Sequence, residues 1–271
     1  MAFTNSSLVT YTNISPNKTV NRNHAIEVIT IHCYVGQVTA KQGCDYLATP
    51  GRGASANYVV GKDGSIGLNV EEKDRSWCTG GKDVHGNIIR VNGISGSSND
   101  YQAVTIEVAS DVTAPYAITD AAYNALIKLC ADICMRNKIP KLLWQADKSL
   151  VGRIDQQNMT AHRWFAIKSC PGDYLYSRFG DIAKKVNAML GVDTNPREPA
   201  PGTVATVPYL VRIKAKDLRI RRGPGTDTAI IQYIEPGTYT IVAEATGQGA
   251  TKWGKLKSGI GWVSLDYCTK V

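Results

Sequence analysis

The sequence predicts two domains, an α/β domain with a mixed central sheet flanked by helices and a second, smaller all-β domain. Three observations support this division of the 271 residues. Runs of β-branched residues alternate with helical patterns up to residue 190, which is typical of an α/β domain. Residues 191–206 (GVDTNPREPAPGTVAT) contain three prolines and two glycines, the composition of an extended linker. Residues 207–271 consist of short alternating runs separated by glycine-containing turns, which indicates a small β-barrel or sandwich.

Four strands are predicted within residues 1–190. Residues 25–32 (AIEVITIH) and 103–109 (AVTIEVA) are rich in β-branched residues and read as buried strands. Residues 57–60 and 66–70 flank the tripeptide Lys-Asp-Gly at 62–64, a turn that joins two strands in a hairpin.

Helices are predicted where a capping residue precedes apolar residues at helical spacing. Thr39 and Gln42 stand in a capping-box relation at the start of residues 39–47. Thr119 or Asp120 caps a longer helix that runs to about residue 136. A third helical pattern, at residues 179–190, directly precedes the linker.

The cysteines predict reduced thiols rather than a disulfide framework. Their number is odd, their spacing is irregular, and no secretory signal is evident at the N-terminus. We expect at most one or two of them in a metal site and interpret Cys130 and Cys134, four apart in the long helix, as core thiols. The full set is Cys33, Cys44, Cys78, Cys130, Cys134, Cys170 and Cys268.

Composition and charge exclude some classes of binding partner but do not identify one. No run approaches the roughly 18 apolar residues of a membrane span, so membrane insertion is not expected. With no signal peptide evident, we expect the chain to be made in the cytoplasm. The net charge of +8 suits an anionic partner: nucleic acid, a membrane surface or a cell wall. No basic run carries interleaved aromatic residues, so nucleic acid is not expected. The oligomeric state is not predicted.

Two histidines and one cysteine are candidate metal ligands. His32 ends the strand ITIH, and His162 lies eight residues before Cys170 in the segment HRWFAIKSCPG. Each histidine alone is more often a structural residue than a ligand. Together, two imidazoles and a thiolate form the three-ligand set of a catalytic zinc, which leaves a fourth position open for water.

Lys168 and Glu107 are candidate catalytic residues. Lys168 lies two residues before Cys170, and an extended backbone would put both side chains on one face, where the cation could stabilise an oxyanion. The alternative is a solvated surface lysine. Glu107 is an acid in the middle of the otherwise buried run VTIEV. It is either a general base for a zinc-activated water or a structural hydrogen-bonding acid.

These motifs together resemble a known enzyme family. TIH, SANYVVGKDGSI, SWCTGG, AVTIEVA and TAHRWFAIKSCPGD follow one another as in the type-2 N-acetylmuramoyl-L-alanine amidases, the superfamily of phage lysozyme, AmpD and the peptidoglycan-recognition proteins. The resemblance covers about residues 24–190. It implies that His32, His162 and Cys170 bind Zn²⁺, that Lys168 stabilises the oxyanion and that Glu107 is the catalytic glutamate.

The chain departs from the family pattern at three positions. Some members have a catalytic tyrosine where this chain has Ala56, which favours the members that use glutamate. Asn57 and Cys78 replace frequent histidines, and we expect both replacements to affect the rim of the pocket more than the metal. We assign no role to His24 and His85, which lie in polar, loop-like surroundings.

The C-terminal segment resembles a bacterial SH3-type domain. The stretches LRIRRGPG and GWV are its landmarks, and the resemblance implies an SH3-like barrel that binds peptidoglycan. We expect Trp253, Trp262 and Tyr267 to belong to the barrel core rather than to a ligand platform. The domains are therefore predicted as an amidase domain at residues 1–190, a linker at 191–206 and a cell-wall-binding domain at 207–271.

The combined resemblances predict a zinc-dependent hydrolase of the bacterial cell wall. It would cleave the amide between N-acetylmuramic acid and L-alanine, as a lytic endolysin of a phage or prophage that a holin releases to the wall. The alternatives are a host autolysin or spore amidase of the same chemistry, and a peptidoglycan-recognition protein without catalysis.

Overall fold

The computed structural model describes residues 3–91, 94–95, 99–192, 207–215 and 217–271. The chain divides into two compact units, Met1–Arg197 and Glu198–Val271. The predicted linker, residues 191–206, lies outside the described residues except for its first two. Among the described residues, no helix combines the length and the apolar character that crossing a membrane requires.

The N-terminal unit contains ten strands and five α-helices among its described residues. The strands are β1 Tyr11–Thr12, β2 Lys18–Thr19, β3 Val28–Cys33, β4 Tyr58–Val60, β5 Ile66–Leu68, β6 Arg75–Ser76, β7 Arg90–Val91, β8 Ile94–Ser95, β9 Ala103–Val108 and β10 Met159–Ala161. The helices are α1 Ala40–Leu47, α2 Asn99–Gln102, α3 Asp120–Arg136, α4 Gly172–Tyr176 and α5 Phe179–Met189.

A six-stranded mixed sheet forms the centre of this unit, as the sequence predicts. Its order is β1-β5-β4-β9-β3-β10. Strands β4, β9, β3 and β10 are parallel to one another, whereas β4 and β5 form the predicted antiparallel hairpin. Because the parallel strands end at the same edge, residues that follow β3 and β10 are brought together there.

The predicted helix starts are confirmed. Thr39 is the N-cap of α1, and it forms the complete reciprocal capping box with Gln42. Thr119 is the N-cap of α3, because its side chain accepts a hydrogen bond from the backbone N–H of Ala122. Both caps fix the points at which the chain leaves the sheet and turns into a helix.

The two faces of the central sheet differ in polarity. Alternate residues of β3 and β9, such as Ile31 and Ile106, belong to one apolar core together with residues of α3 and α5. Cys130 and Cys134 are buried in that core, as predicted. The other alternate residues of β3 are Val28, Thr30 and His32, so the opposite face carries two polar groups of this strand.

The C-terminal unit is all-β, as predicted. It forms a seven-stranded sheet of order β13-β12-β16-β15-β14-β11-β17, in which the described pairs are antiparallel. Residues from strands near both ends of the sheet share one core, so the sheet must curve around it. The strands are β11 Tyr209–Ile213, β12 Arg219–Arg221, β13 Ile230–Tyr233, β14 Gly237–Gly247, β15 Ala250–Leu256, β16 Trp262–Ser264 and β17 Cys268–Lys270.

One prediction about this core is wrong. Trp253 is buried and Trp262 is partly buried, but the side chain of Tyr267 is exposed. Tyr267 lies in a short 3-10 helix, Leu265–Tyr267, after β16 rather than in a strand. The alternation of the neighbouring strand residues therefore does not extend to it.

Candidate metal centre and active site

Strand register brings His32 and His162 together. Ile31 of β3 pairs with Ala161, the last residue of β10, so His32 of β3 and His162, which directly follows β10, lie at the same edge of the sheet. The Nδ1 atoms of the two histidines are 3.2 Å apart, and both side chains are buried. The two histidines are 130 residues apart in the sequence, and the parallel pairing of β3 and β10 brings them side by side.

Cys170 completes a cluster of three potential metal ligands. Its Sγ lies 3.5 Å from Nδ1 of His32, and the ligand atoms of all three residues lie within 4.8 Å of one another. Zinc bonds of about 2.0–2.1 Å to nitrogen and about 2.3 Å to sulfur place tetrahedral ligands about 3.3–3.6 Å apart. The Nδ1–Sγ separation of 3.5 Å falls within that range and the Nδ1–Nδ1 separation of 3.2 Å lies just below it, so the donor set fits a zinc ion.

The outer nitrogen of each histidine faces an oxygen of the loop after β6. Nε2 of His162 lies 3.4 Å from the carbonyl oxygen of Gly80, and Nε2 of His32 lies 3.5 Å from Oγ1 of Thr79. With Nε2 protonated, each ring donates to that oxygen and leaves the Nδ1 lone pair free for a metal.

Asp100 holds this loop in place. Its Oδ2 accepts hydrogen bonds of 2.9 Å from the backbone N–H groups of Cys78 and Thr79. Asp100 is fully buried on α2, and burial raises the pKa of its carboxyl group. Neither Asp100 nor Thr79 is identifiable as a site residue from the sequence alone. The SWCTGG motif marks the loop, but no local signal pairs it with an acid more than 20 residues away.

The site favours neutral imidazoles. Burial, followed by the nearby positive charge of Lys168, lowers the pKa of His162 to about 4. Burial and the neighbouring His162 hold the pKa of His32 well below its ordinary value. A hydrogen bond with Cys33 and burial raise the pKa of the Cys170 thiol. A divalent cation would reverse that last effect, because a coordinating thiol loses its proton.

Glu107 lies beside the candidate metal ligands. It pairs in register with His32 across β9 and β3, and one of its carboxylate oxygens lies within 4.8 Å of a ring nitrogen of His32. The Sγ of Cys78 lies 3.7 Å from its Oε1, and its Oε2 has no partner among the described residues. Burial raises the pKa of Glu107 to about 8. A carboxyl group with this pKa can exchange a proton near neutral pH, which suits a general acid–base.

Lys168 lies at the same site, but its backbone differs from the prediction. Residues 166–168 form bends rather than an extended strand, and the N–H of Lys168 donates to the carbonyl oxygen of Ala166. Its exposed side chain lines a cleft of about 280 Å³ together with Trp77, Cys78 and His162. The turn of the chain, rather than strand alternation, brings Lys168 to the cleft.

Asn57 and Cys78, which stand where family members frequently have histidine, have different surroundings. Asn57 is fully buried; its Oδ1 accepts from the N–H of Thr105, and its Nδ2 donates to the carbonyl oxygen of Val70. The expectation that Asn57 lies at the pocket rim is therefore wrong, because it links neighbouring strands inside the fold. Cys78 does line the cleft, and its Sγ lies within 4.8 Å of potential ligand atoms of His32 and Glu107.

Ala56, His24 and His85 have the surroundings of structural or surface residues. Ala56 is buried in a small apolar cluster beside α1. His24 and His85 are exposed, and neither belongs to a potential metal-binding group of the described residues. Assigning them no role therefore stays consistent with their positions.

The fold and the cluster define a class: an α/β protein with a candidate single-metal centre of two histidines and a cysteine beside a buried glutamate. The sequence profile of the N-acetylmuramoyl-L-alanine amidase family matches residues 22–173, more than half of the chain. This chain belongs to that family.

Comparison with solved structures gives similarities of low sequence identity. PlyL has a TM-score of 0.45 and 14% identity, over 65% of this chain and 95% of that chain. A selenomethionine derivative of AmpD has a TM-score of 0.45 and 16% identity, over 68% and 99%. A mutant endolysin from Bacillus subtilis has a TM-score of 0.43 and 17% identity, over 66% and 99%. Comparison with curated protein sequences gives no match.

Proposed function

We propose that the protein is a zinc-dependent peptidoglycan hydrolase that cleaves the amide between the lactyl group of N-acetylmuramic acid and L-alanine of the stem peptide. Membership of the amidase family supports the reaction. The observation that carries the metal assignment is the cluster of His32, His162 and Cys170, whose spacings of 3.2 and 3.5 Å are close to those between ligands of tetrahedral zinc.

His32 and His162 would hold the metal through Nδ1, and Cys170 would hold it through Sγ. When bound, zinc supplies a Lewis acid for the scissile carbonyl and lowers the pKa of water to about 7. The loop oxygens of Thr79 and Gly80 orient the two rings for this role.

Glu107 acts as the general base in this proposal. Its carboxylate takes a proton from the attacking water and passes it to the departing amine of L-alanine. The amide C–N bond breaks, and the products are a free carboxylate on the lactyl group and a free amino terminus on the peptide. Lys168 donates to the developing oxyanion from the rim of the cleft.

The C-terminal unit would deliver the catalytic unit to the wall as an SH3-type domain. Residues 207–271 contain ten Lys and Arg against five Asp and Glu, which suits an anionic surface. An amidase with such a module is typical of a phage or prophage endolysin, made in the cytoplasm and released by a holin. A host autolysin or spore amidase has the same chemistry, and gene neighbourhood separates these origins.

Incubation with purified sacculi tests the reaction. We expect new L-alanine amino termini and no new reducing sugars. New reducing sugars would mean that a glycosidic bond is cleaved instead. Binding to sacculi without new termini would favour the second candidate, a recognition protein without catalysis.

A further inference from the structure

A second cleft lies in the C-terminal unit, in which no individual residue has so far been given a role. Its volume is about 390 Å³. It is bordered by β12, β13, β15 and β16 and by the 3-10 helix after β16. The lining residues that matter here are Asp217, Arg219, Arg221, Tyr233, Trp253, Ser264 and Tyr267.

Two lining side chains are buried and lack hydrogen-bond partners. Trp253 is 3% exposed and Ser264 is 4% exposed, yet the Trp253 Nε1 and Ser264 Oγ atoms have no partner among the described residues. The two residues pair in register across β15 and β16, so their side chains lie on the same face of the sheet. An unsatisfied buried polar group destabilises the folded state, so a bound group that supplies a partner is favoured.

The cleft also contains a buried positive charge. Arg221 is 8% exposed, and its Nη1 donates to the backbone carbonyl oxygens of Thr226 and Thr228. Across the described ranges, no carboxylate lies within ion-pair distance of Arg221. A buried guanidinium is stabilised by an anion, and its planar donors suit a carboxylate.

The rim adds charges of both signs and two aromatic rings. Arg219 is exposed, and its guanidinium carbon lies 6.0 Å from the centroid of the Tyr233 ring. Asp217 is an exposed acid on the same cleft. Tyr233 and Tyr267 are 54% and 63% exposed, so both rings are accessible to a ligand in the cleft.

We propose that this cleft is a binding site for a short peptide that carries both free carboxylates and a free amino group. Arg219 and Arg221 pair with the carboxylates, the Trp253 N–H and the Ser264 hydroxyl bond to the peptide, and Asp217 pairs with the amino group. Stem peptides of peptidoglycan have this chemistry, and a neutral glycan would leave Arg221 unpaired. The assignment of a stem peptide rests on the proposed cell-wall function.

The test uses the full chain and a synthetic stem peptide without sugar. The variants are Arg219→Ala, which removes an exposed charge, and Trp253→Phe, which removes the N–H and keeps most of the ring. The matched control is Arg212→Ala, because Arg212 is an exposed arginine of the same sheet that does not line the cleft. Far-UV circular dichroism and melting curves verify that each variant folds.

Each cleft variant should bind the peptide at least about tenfold more weakly. Loss of one charge-assisted hydrogen bond weakens binding by about this factor. The control should bind like the wild type. The same peptide with amidated carboxylates should bind weakly to the wild type. Unchanged binding by both variants, equal affinity for the amidated peptide, or binding of a chitin oligosaccharide in place of the peptide would overturn the proposal.

A separate readout distinguishes this site from the proposed reaction. Release of L-alanine termini from soluble muropeptides depends on the catalytic unit and should be unchanged in Arg219→Ala and Trp253→Phe. Retention on sacculi should fall in both. Loss of peptide binding with normal hydrolysis supports the site, whereas a wild type that hydrolyses nothing refutes the proposed reaction whatever the binding result.

Discussion

His32 and Glu107 are paired in register on adjacent parallel strands, β3 and β9. Paired residues of a parallel ladder present their side chains on the same face of the sheet. A candidate metal ligand and a candidate base are therefore fixed side by side by backbone hydrogen bonds rather than by a mobile loop. Two strands that the sequence predicts independently thus position both groups.

Replacing Glu107 by Gln should abolish turnover without removing the metal. The amide cannot accept the proton of the attacking water, and loss of a general base costs about a hundredfold or more. We expect one zinc per chain and at least a hundredfold lower kcat on sacculi. Glu71→Gln, on a partly exposed glutamate paired with Lys73, is the matched control and should keep full activity. Full activity of Glu107→Gln would show that another group is the base.

The same variant should stabilise the metal-free protein at neutral pH. The pKa of Glu107 is about 8 in the folded chain against an ordinary value of 4.5. Between those two values the unfolded chain binds fewer protons, so wild-type stability falls as pH rises. In chelator, the melting temperature of Glu107→Gln should exceed that of the wild type by at least about 2 °C at pH 7.5. The difference should vanish near pH 4, and a constant difference across that range would contradict the raised pKa.

Replacing either candidate histidine ligand by Ala should remove the metal. Two remaining donors hold zinc far more weakly than three, so His32→Ala and His162→Ala should each contain less than about a tenth of the wild-type zinc. Zinc content after dialysis against metal-free buffer, measured by atomic absorption, checks this. His85→Ala removes an exposed histidine and should retain full zinc content. Full zinc content in both ligand variants would place the metal elsewhere.

Lys168→Ala should lower kcat while zinc content stays unchanged. An oxyanion donor in an enclosed site contributes about a hundredfold or more. Because the Lys168 side chain is exposed and solvent screens its charge, we expect a loss of about tenfold. Lys184→Ala, on an exposed lysine of α5, is the control. Wild-type kcat in Lys168→Ala would assign this residue to the solvated surface.

The elements of the fold were predictable because their signals are local. The capping box of Thr39 and Gln42 and the cap at Thr119 start helices at the predicted residues. The β-branched run that ends in His32 became β3. Such signals depend on neighbours a few residues apart, which the sequence displays directly.

The site was less predictable because its contacts are long-range. Asp100 supports the loop at Cys78 and Thr79 through backbone N–H groups, and no sequence pattern records such a bond. Asn57 was expected at a rim and is buried, because its side chain satisfies groups of neighbouring strands. The residue types predicted His32 and His162 as ligands of one metal, but that the two histidines meet depends on the register of β3 and β10.

Removal and return of the metal would show whether hydrolysis of the cell wall depends on zinc at this site. Wild-type protein would be incubated with sacculi as purified, after chelation, and after chelation followed by one equivalent of zinc. We expect release of L-alanine termini to be lost on chelation and restored by zinc, and we expect zinc to restore nothing in His162→Ala. Undiminished release by the metal-free protein would contradict a zinc-dependent mechanism.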